Sequence, residues 1–172
     1  MVLYDLITEE KEVITANGNN YSAIFTKQNE IIFCNQSNSI SSNIYKMNID
    51  GLNMQLLIAN ACNPVSSPNG EEIAYQSQIE NGSSQIFVAK SDGSDQKQLT
   101  TSYSSESWPG WPPERNYDPQ WTPNGNKIVY VSGEDGDPEI YIMNSNGSNK
   151  SKLTNTSSRD EYPSISSYRK FL

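Results

Sequence analysis

Short apolar runs punctuate an otherwise polar chain. "NEIIF" (29–33), "EEIAY" (71–75) and "NKIVY" (126–130) form one set, and "NIYKM" (43–47), "QIFVA" (85–89) and "EIYIM" (139–143) form a second. The runs are too short for helices and rich in β-branched and aromatic residues, so they predict strands. They are continuous rather than alternating, which predicts sheets covered on both faces. No twelve-residue window holds a helical period.

The two sets recur together. From first to second copy the offset is about 42 residues in both sets, and from second to third it is about 55. "QLLI" (55–58), "KQLT" (97–100) and "SKLT" (151–154) follow at the same spacing as a more polar last strand. A unit of about 42 residues is therefore written three times, with one insertion around "SSESWPGWPPER" (104–115) before the third copy.

Turn residues sit between the runs. Pro68-Asn69-Gly70 and Pro123-Asn124-Gly125 join the first strand of a unit to the second. Asp50-Gly51, Asp92-Gly93 and Asn146-Gly147 join the third to the fourth. Proline presets φ, and Asn-Gly accepts the positive φ of a tight hairpin. A four-stranded sheet apolar on both faces and repeated at this period is the blade of a β-propeller, with neighbouring blades supplying the cover.

The third copy, "PQWTPNGNKIVYVSGEDGDPEIYIMNSNGSNKSKLT", resembles the WD40-like repeat of TolB-type β-propellers. That unit runs Pro-x-Trp-Ser-Pro-Asp-Gly, a strand, Asp-Gly and Ile-Tyr, a second Asp-Gly, then Leu-Thr. The second copy places Ser66 at the tryptophan position. Aligned on its apolar run, the first copy places Ile24 there and has no Pro-Asn-Gly turn. The resemblance spans residues 20–165 and implies an all-β propeller. It also implies roles seen in that group: partner binding in the periplasm or outside the cell, or gating of a peptidase.

The chain ends carry pieces of a further blade. "LYDL" (3–6) and "EVIT" (12–15) align with third and fourth strands, and "EYPSIS" (161–166) with a first strand. The expected division is 1–15 as the end of a split blade, 16–58, 59–100 and 117–155 as complete blades, 101–116 as the insertion, and 156–172 as the start of the split blade. A closed four-bladed ring, a homo-oligomer completing a ring, and part of a larger propeller all fit this division.

Composition narrows the function. A net charge of −8 disfavours nucleic acid and anionic membrane surfaces, and no apolar stretch is long enough to span a bilayer. "MVLYDLITEE" has no basic region or long apolar run, so it does not read as an export leader. Histidine is absent, which removes Ser-His-Asp and Cys-His chemistry and histidine-ligated metals. Glu134, Asp135, Asp137 and Glu139 lack the spacing of a calcium loop and read as turn residues. Cys34 and Cys62 read as two small, partly buried residues, with one bridge between them possible. No catalytic residue, cofactor or metal is expected, and the Asn-x-Ser/Thr triplets follow from composition.

The tight turns all fall at one end of the strands, so the longer, varied segments gather at the other. The insertion brings Trp108, Trp111, Arg115 and Tyr117, residue types enriched at interface hot spots. The inner strands are expected to begin at Tyr21, Asn63, Asp118 and Tyr162, around the mouth of a central channel. The expected role is a non-enzymatic module binding a protein or small ligand through these residues. The alternatives are the gating propeller of a hydrolase and a self-assembling structural unit.

Overall fold

The computed structural model describes residues 1–4, 7–14, 18–36, 41–79, 83–101, 116–134 and 136–166. Among these, strands and turns account for all regular structure, and no helix occurs. Trp108, Trp111 and Arg115 lie outside the described residues, as do Asp135 and "RKFL".

The fold is all-β and consists of antiparallel sheets taken in sequence. A hairpin of β1 (Val2–Tyr4) and β2 (Lys11–Val13) comes first. Four-stranded sheets follow: β3 (Asn19–Phe25), β4 (Glu30–Gln36), β5 (Asn43–Asn48) and β6 (Gln55–Ile58); then β7 (Ala61–Ser66), β8 (Glu72–Gln78), β9 (Ser84–Lys90) and β10 (Lys97–Gln98); then β11 (Asn116–Trp121), β12 (Lys127–Ser132), β13 (Glu139–Asn144) and β14 (Ser151–Lys152). In each sheet the strands lie side by side in chain order. This is the up-and-down meander of a propeller blade. Residues 161–166, expected as an inner strand, form no ladder among the described residues.

The chain divides into two compact units, residues 1–64 and 65–172. In the first, Ile14 at the end of the hairpin packs on Ile31, Phe33 and Met47 of the β3–β6 sheet, with Met1 and Tyr45 alongside. In the second, Ala74, Ile86, Val88 and Leu99 meet Trp121, Ile128, Tyr130, Tyr141 and Met143 across two stacked sheets. Trp121 also donates its indole N–H to the Val65 carbonyl at 3.2 Å, so its one polar atom is satisfied.

One packing element repeats in every sheet. Phe33 lies opposite Tyr45, Tyr75 opposite Phe87, and Tyr130 opposite Tyr141, each across the second and third strands. Ring centroids are 6.1, 5.7 and 5.8 Å apart, within the range of favourable aromatic pairs. Of the second strands, β4 and β12 are buried along most of their length, and β8 is buried over its apolar run Ile73–Tyr75. The third strands differ from expectation: β9 is buried nearly throughout, whereas β5 and β13 also carry half-buried positions.

The turns repeat to the atom. Gly51, Gly93 and Gly147 each donate to the carbonyl three residues back, and Asp50, Asp92 and Asn146 each accept from the N–H two residues on. In the first-to-second strand turns, Asn69 and Asn124 also accept through their side chains, at 3.1 Å from the N–H two residues ahead. Only the glycine takes positive φ there, so asparagine contributes its carbonyl rather than its conformational freedom.

The first repeat holds a correction. Its turn, Thr26 to Glu30, is one residue shorter than Thr122 to Lys127, and Asn29 (φ 58°) stands in for glycine. The inner strand is therefore offset by one. Phe25, not Ile24, takes the tryptophan position, and it is 62% exposed where Trp121 is 8%.

Gly147 has φ +89°, and a Cβ there would lie 3.1 Å from the Leu99 carbonyl oxygen. Gly125 has φ +71° but meets only Pro68, at 3.6 Å. Gly125→Ala should cost about 1 kcal/mol from the left-handed backbone alone. Gly147→Ala should cost about 2–3 kcal/mol, because strain and the blocked approach add. Urea denaturation of the two variants measures the difference, and equal losses would mean the Leu99 contact simply yields.

Candidate functional site

The strand ends opposite the tight turns carry the polar chemistry, and a backbone device puts it there. The ladder slips between Tyr21 and Ile24 in the first sheet and between Tyr117 and Gln120 in the third. Ser22, Asn63 and Asp118 hold φ of 49–51° at these points, and Tyr162 holds 59°. Ser22 and Asp118 are each the left-handed residue of a bulge-like kink; Asn63 shares their backbone in β7, and Tyr162 shares it outside any strand. Pro64, Pro119 and Pro163 follow three of them. Pro119 falls in the unpaired part of the ladder, where a missing N–H costs no hydrogen bond. In the first sheet the kinked residue is Ser22 rather than Tyr21, by the same one-residue offset.

In the first unit these residues form a small polar group. Ser22 Oγ donates to Asn63 Oδ1 at 2.8 Å. The Tyr21 hydroxyl and Ser42 Oγ are 2.7 Å apart. Burial, followed by contact with Cys34, pushes the Tyr21 hydroxyl well above its ordinary range, so it stays protonated at neutral pH. Cys34 Sγ lies 3.8 Å from the Ala61 carbonyl and is fully buried.

In the second unit Tyr117 donates its hydroxyl to Glu161, and Arg159 Nη2 is 2.8 Å from the same carboxylate oxygen. Asp118 donates its backbone N–H to the Gln76 side-chain carbonyl at 3.4 Å. Tyr162 stands beside this group with 81% of its surface exposed. Beneath it runs a buried network. The Gln85 carbonyl oxygen accepts from Thr100 Oγ1 (2.6 Å) and Asn116 Nδ2 (3.0 Å), and Ser84 Oγ donates to the Asn116 carbonyl. Such a satisfied network fixes the root of β11 rigidly. Glu139 plays the part of Gln85 in the third sheet, accepting from Thr154 Oγ1 and the Thr156 N–H, with Lys152 at 3.9 Å. Its carboxylate is engaged structurally, but Glu139 is the buried first residue of β13 and not the turn residue expected.

Tyr117, Asp118 and Tyr162 thus belong to one unit, and Tyr21 and Asn63 to the other. Sequence reasoning missed Glu161, Arg159 and Ser22. The signal for Ser22 was the shorter turn, which becomes visible when the repeats are aligned on Thr26 and Thr122. A groove of about 400 Å³ lies at the other strand end, lined by Pro68, Asn69, Trp121, Pro123 and neighbouring turn residues.

Comparison with solved structures fits this geometry. The chain is similar to the putative TolB from Agrobacterium tumefaciens, with 24% identity and a TM-score of 0.68 over 84% of this chain and 52% of that one. It is similar to TolB from Acinetobacter baumannii, with 16% identity and a TM-score of 0.70 over 92% and 38%. It is also similar to the β-propeller domain of the Trilobed protease from Pyrococcus furiosus, described as having an open velcro topology, with 17% identity and a TM-score of 0.59 over 81% and 44%. The fold is therefore a TolB-like β-propeller fold. The chain spans about half, or less, of the length of these propellers. No protein-family model matches it, and no curated protein matches it.

The Tyr117 bond, with Arg159 assisting, holds the Glu161 carboxyl below its ordinary value of 4.5. A depressed folded value means that the stabilisation is present above about pH 4.5 and is lost as pH falls through the folded value. Burial raises the Tyr117 phenol, so its contribution is present below its ordinary value of 10 and is lost as pH rises further. Tyr117→Phe should return the Glu161 carboxyl toward 4.5 in a carboxyl-carbon NMR titration, and an unmoved titration would remove the tyrosine as its cause.

Proposed function

We propose that the chain is a non-enzymatic binding module, a propeller segment that presents a polar and aromatic surface to a protein partner. The observation that carries this is Tyr162. A large aromatic is held in the left-handed region and almost fully exposed, beside the Tyr117–Glu161–Arg159 cluster. Left-handed backbone at a bulky residue costs energy, and a buried side chain would offset that cost; this one is left in water. Tyrosine with a neighbouring arginine is the composition of an interface hot spot. Trp108, Trp111 and Arg115 extend the same chemistry in the sequence. The tyrosine hydroxyls here keep their protons at neutral pH, which suits hydrogen bonding more than proton transfer.

The test is comparative capture from the periplasmic or extracellular fraction of the source cells, followed by calorimetry with the captured protein. Tyr162→Ala and Trp111→Ala should each weaken binding tenfold or more while circular dichroism stays unchanged. Affinity unchanged from the unaltered protein in both variants would overturn this reading.

Self-assembly is the second reading, favoured by the hairpin. Val2 and Val13 face each other across β1 and β2 and are 58% and 67% exposed, on a sheet that has two strands among the described residues. Such an apolar pair fits a covering blade from another copy. Light scattering should then give a multiple of 19.2 kDa, and Val13→Glu should return it to a single chain. A single-chain mass for the unaltered protein would remove assembly.

A further inference from the structure

Two thiols meet where the inner strand β7 begins. Cys34, fully buried on β4, points its sulfur at the carbonyl of Ala61. That carbonyl is 27 positions further along the chain, and Cys62 is the next residue. The Ala61 N–H donates to the Ser42 carbonyl at 2.9 Å, which pins the start of β7 beside β5. The Tyr21–Ser42 hydroxyl pair closes the other side. The Cys62 thiol is within hydrogen-bonding reach of Cys34 and, unlike it, is half-buried. Both cysteines are thiols, with no disulfide between them.

We propose that Cys34 and Cys62 form a redox pair that closes into a reversible intrachain disulfide by exchange with a small disulfide oxidant such as oxidised glutathione. The half-buried partner reacts first. The Cys62 thiolate attacks one glutathione sulfur, forms a mixed disulfide and expels one glutathione thiolate. The Cys34 thiolate then attacks Cys62 Sγ and expels the second. The protein loses two thiol protons and two electrons; the oxidant gains both and leaves as two glutathione thiols.

The surroundings favour the second step. In the reduced protein the Cys62 thiol holds the Cys34 thiol down at about 7, with Tyr21 and Ser42 assisting and burial opposing; in the mixed disulfide Cys62 has no S–H left, and the Tyr21 and Ser42 hydroxyls remain to favour the Cys34 thiolate. Burial also keeps outside oxidants from Cys34, which casts it as the resolving sulfur. A disulfide needs sulfurs about 2.05 Å apart, closer than a hydrogen-bonded pair, so closure requires the two side chains to move together. The bond would clamp the start of β7 onto β4 and fix Asn63, the kinked residue that bonds Ser22. Oxidation thus stiffens one part of the polar strand ends, whatever binds there.

The full chain is equilibrated with oxidised glutathione, denatured, alkylated with N-ethylmaleimide and weighed. The expected result is no alkylation, a mass lower by two hydrogens, one peptide pair joining Cys34 to Cys62, and full recovery of both thiols with dithiothreitol. The melting temperature should rise by about 5–15 °C on oxidation. Cys62→Ser should abolish the rise. Should that variant fail to fold, the mass of the unaltered protein decides alone. Two thiols still alkylated after equilibration, a persistent glutathione adduct on one cysteine, or a linked pair of chains would each overturn the proposal.

Discussion

A four-stranded sheet with two apolar faces cannot cover itself, and every other feature of the molecule answers to that constraint. In the second unit Trp121, Ile128 and Tyr130 find Ala74, Ile86 and Leu99 across the stack; in the first, Ile14 covers Ile31 and Phe33. Burial of one such side chain is worth about 1.5–3 kcal/mol, so the stack outweighs any single turn or ion pair. The ion pairs are modest by comparison. Lys90 and Asp95 form a pair more than 60% exposed on both sides, a setting in which solvent screens most of the attraction.

Stacking narrow sheets demands close approach at their ends, and the turns show how it is met. Gly147 lies against the Leu99 backbone and Gly51 against the Ile14 carbonyl. In each case the last turn of one sheet rests on the last strand of the preceding element. A side chain there would hold the layers apart. The glycine therefore meets two requirements at once, the sign of φ and the spacing between sheets. This explains why the Asp-Gly or Asn-Gly pair appears in all three repeats, whereas the Pro-Asn-Gly turn is replaced in the first by a shorter one with Asn29.

That difference marks how much the sequence reveals. Apolar runs, periodic spacing and turn residues identify the strands of all three sheets, because each rests on local patterning. The cross-strand aromatic pairs follow from the same period. The register of β3 does not. A turn shortened by one residue shifts the strand before it without altering the strands after it, so an offset measured on β4 misplaces Tyr21 and Ile24 by one. The functional surface is less legible still. Glu161 and Arg159 belong to a segment with no apolar pattern, and their link to Tyr117 bridges 44 positions. The Cys34–Cys62 contact likewise depends on where β7 crosses β4, a fact of three-dimensional placement.

The two ends of the strands then have different freedoms. At the turn end, glycine spacing and side-chain caps leave little room for change. At the opposite end, stability comes from buried networks set slightly inside, Gln85 with Thr100 and Asn116, and Glu139 with Thr154. Outside those networks the chain kinks through Ser22, Asn63 and Asp118, and proline follows two of them where no N–H is needed. The kinks shift the register of the inner strands without ending the ladder, since Asn19–Tyr21 pair with β4 and Asn116 and Tyr117 pair with β12 on the far side of them. Asn116, beyond its kink, is buried in that network, whereas Tyr21 and Tyr162 are exposed to solvent. Exposed positions of this kind can vary without disturbing the stack, and for that reason the propeller architecture alone constrains the chemistry of that surface so little.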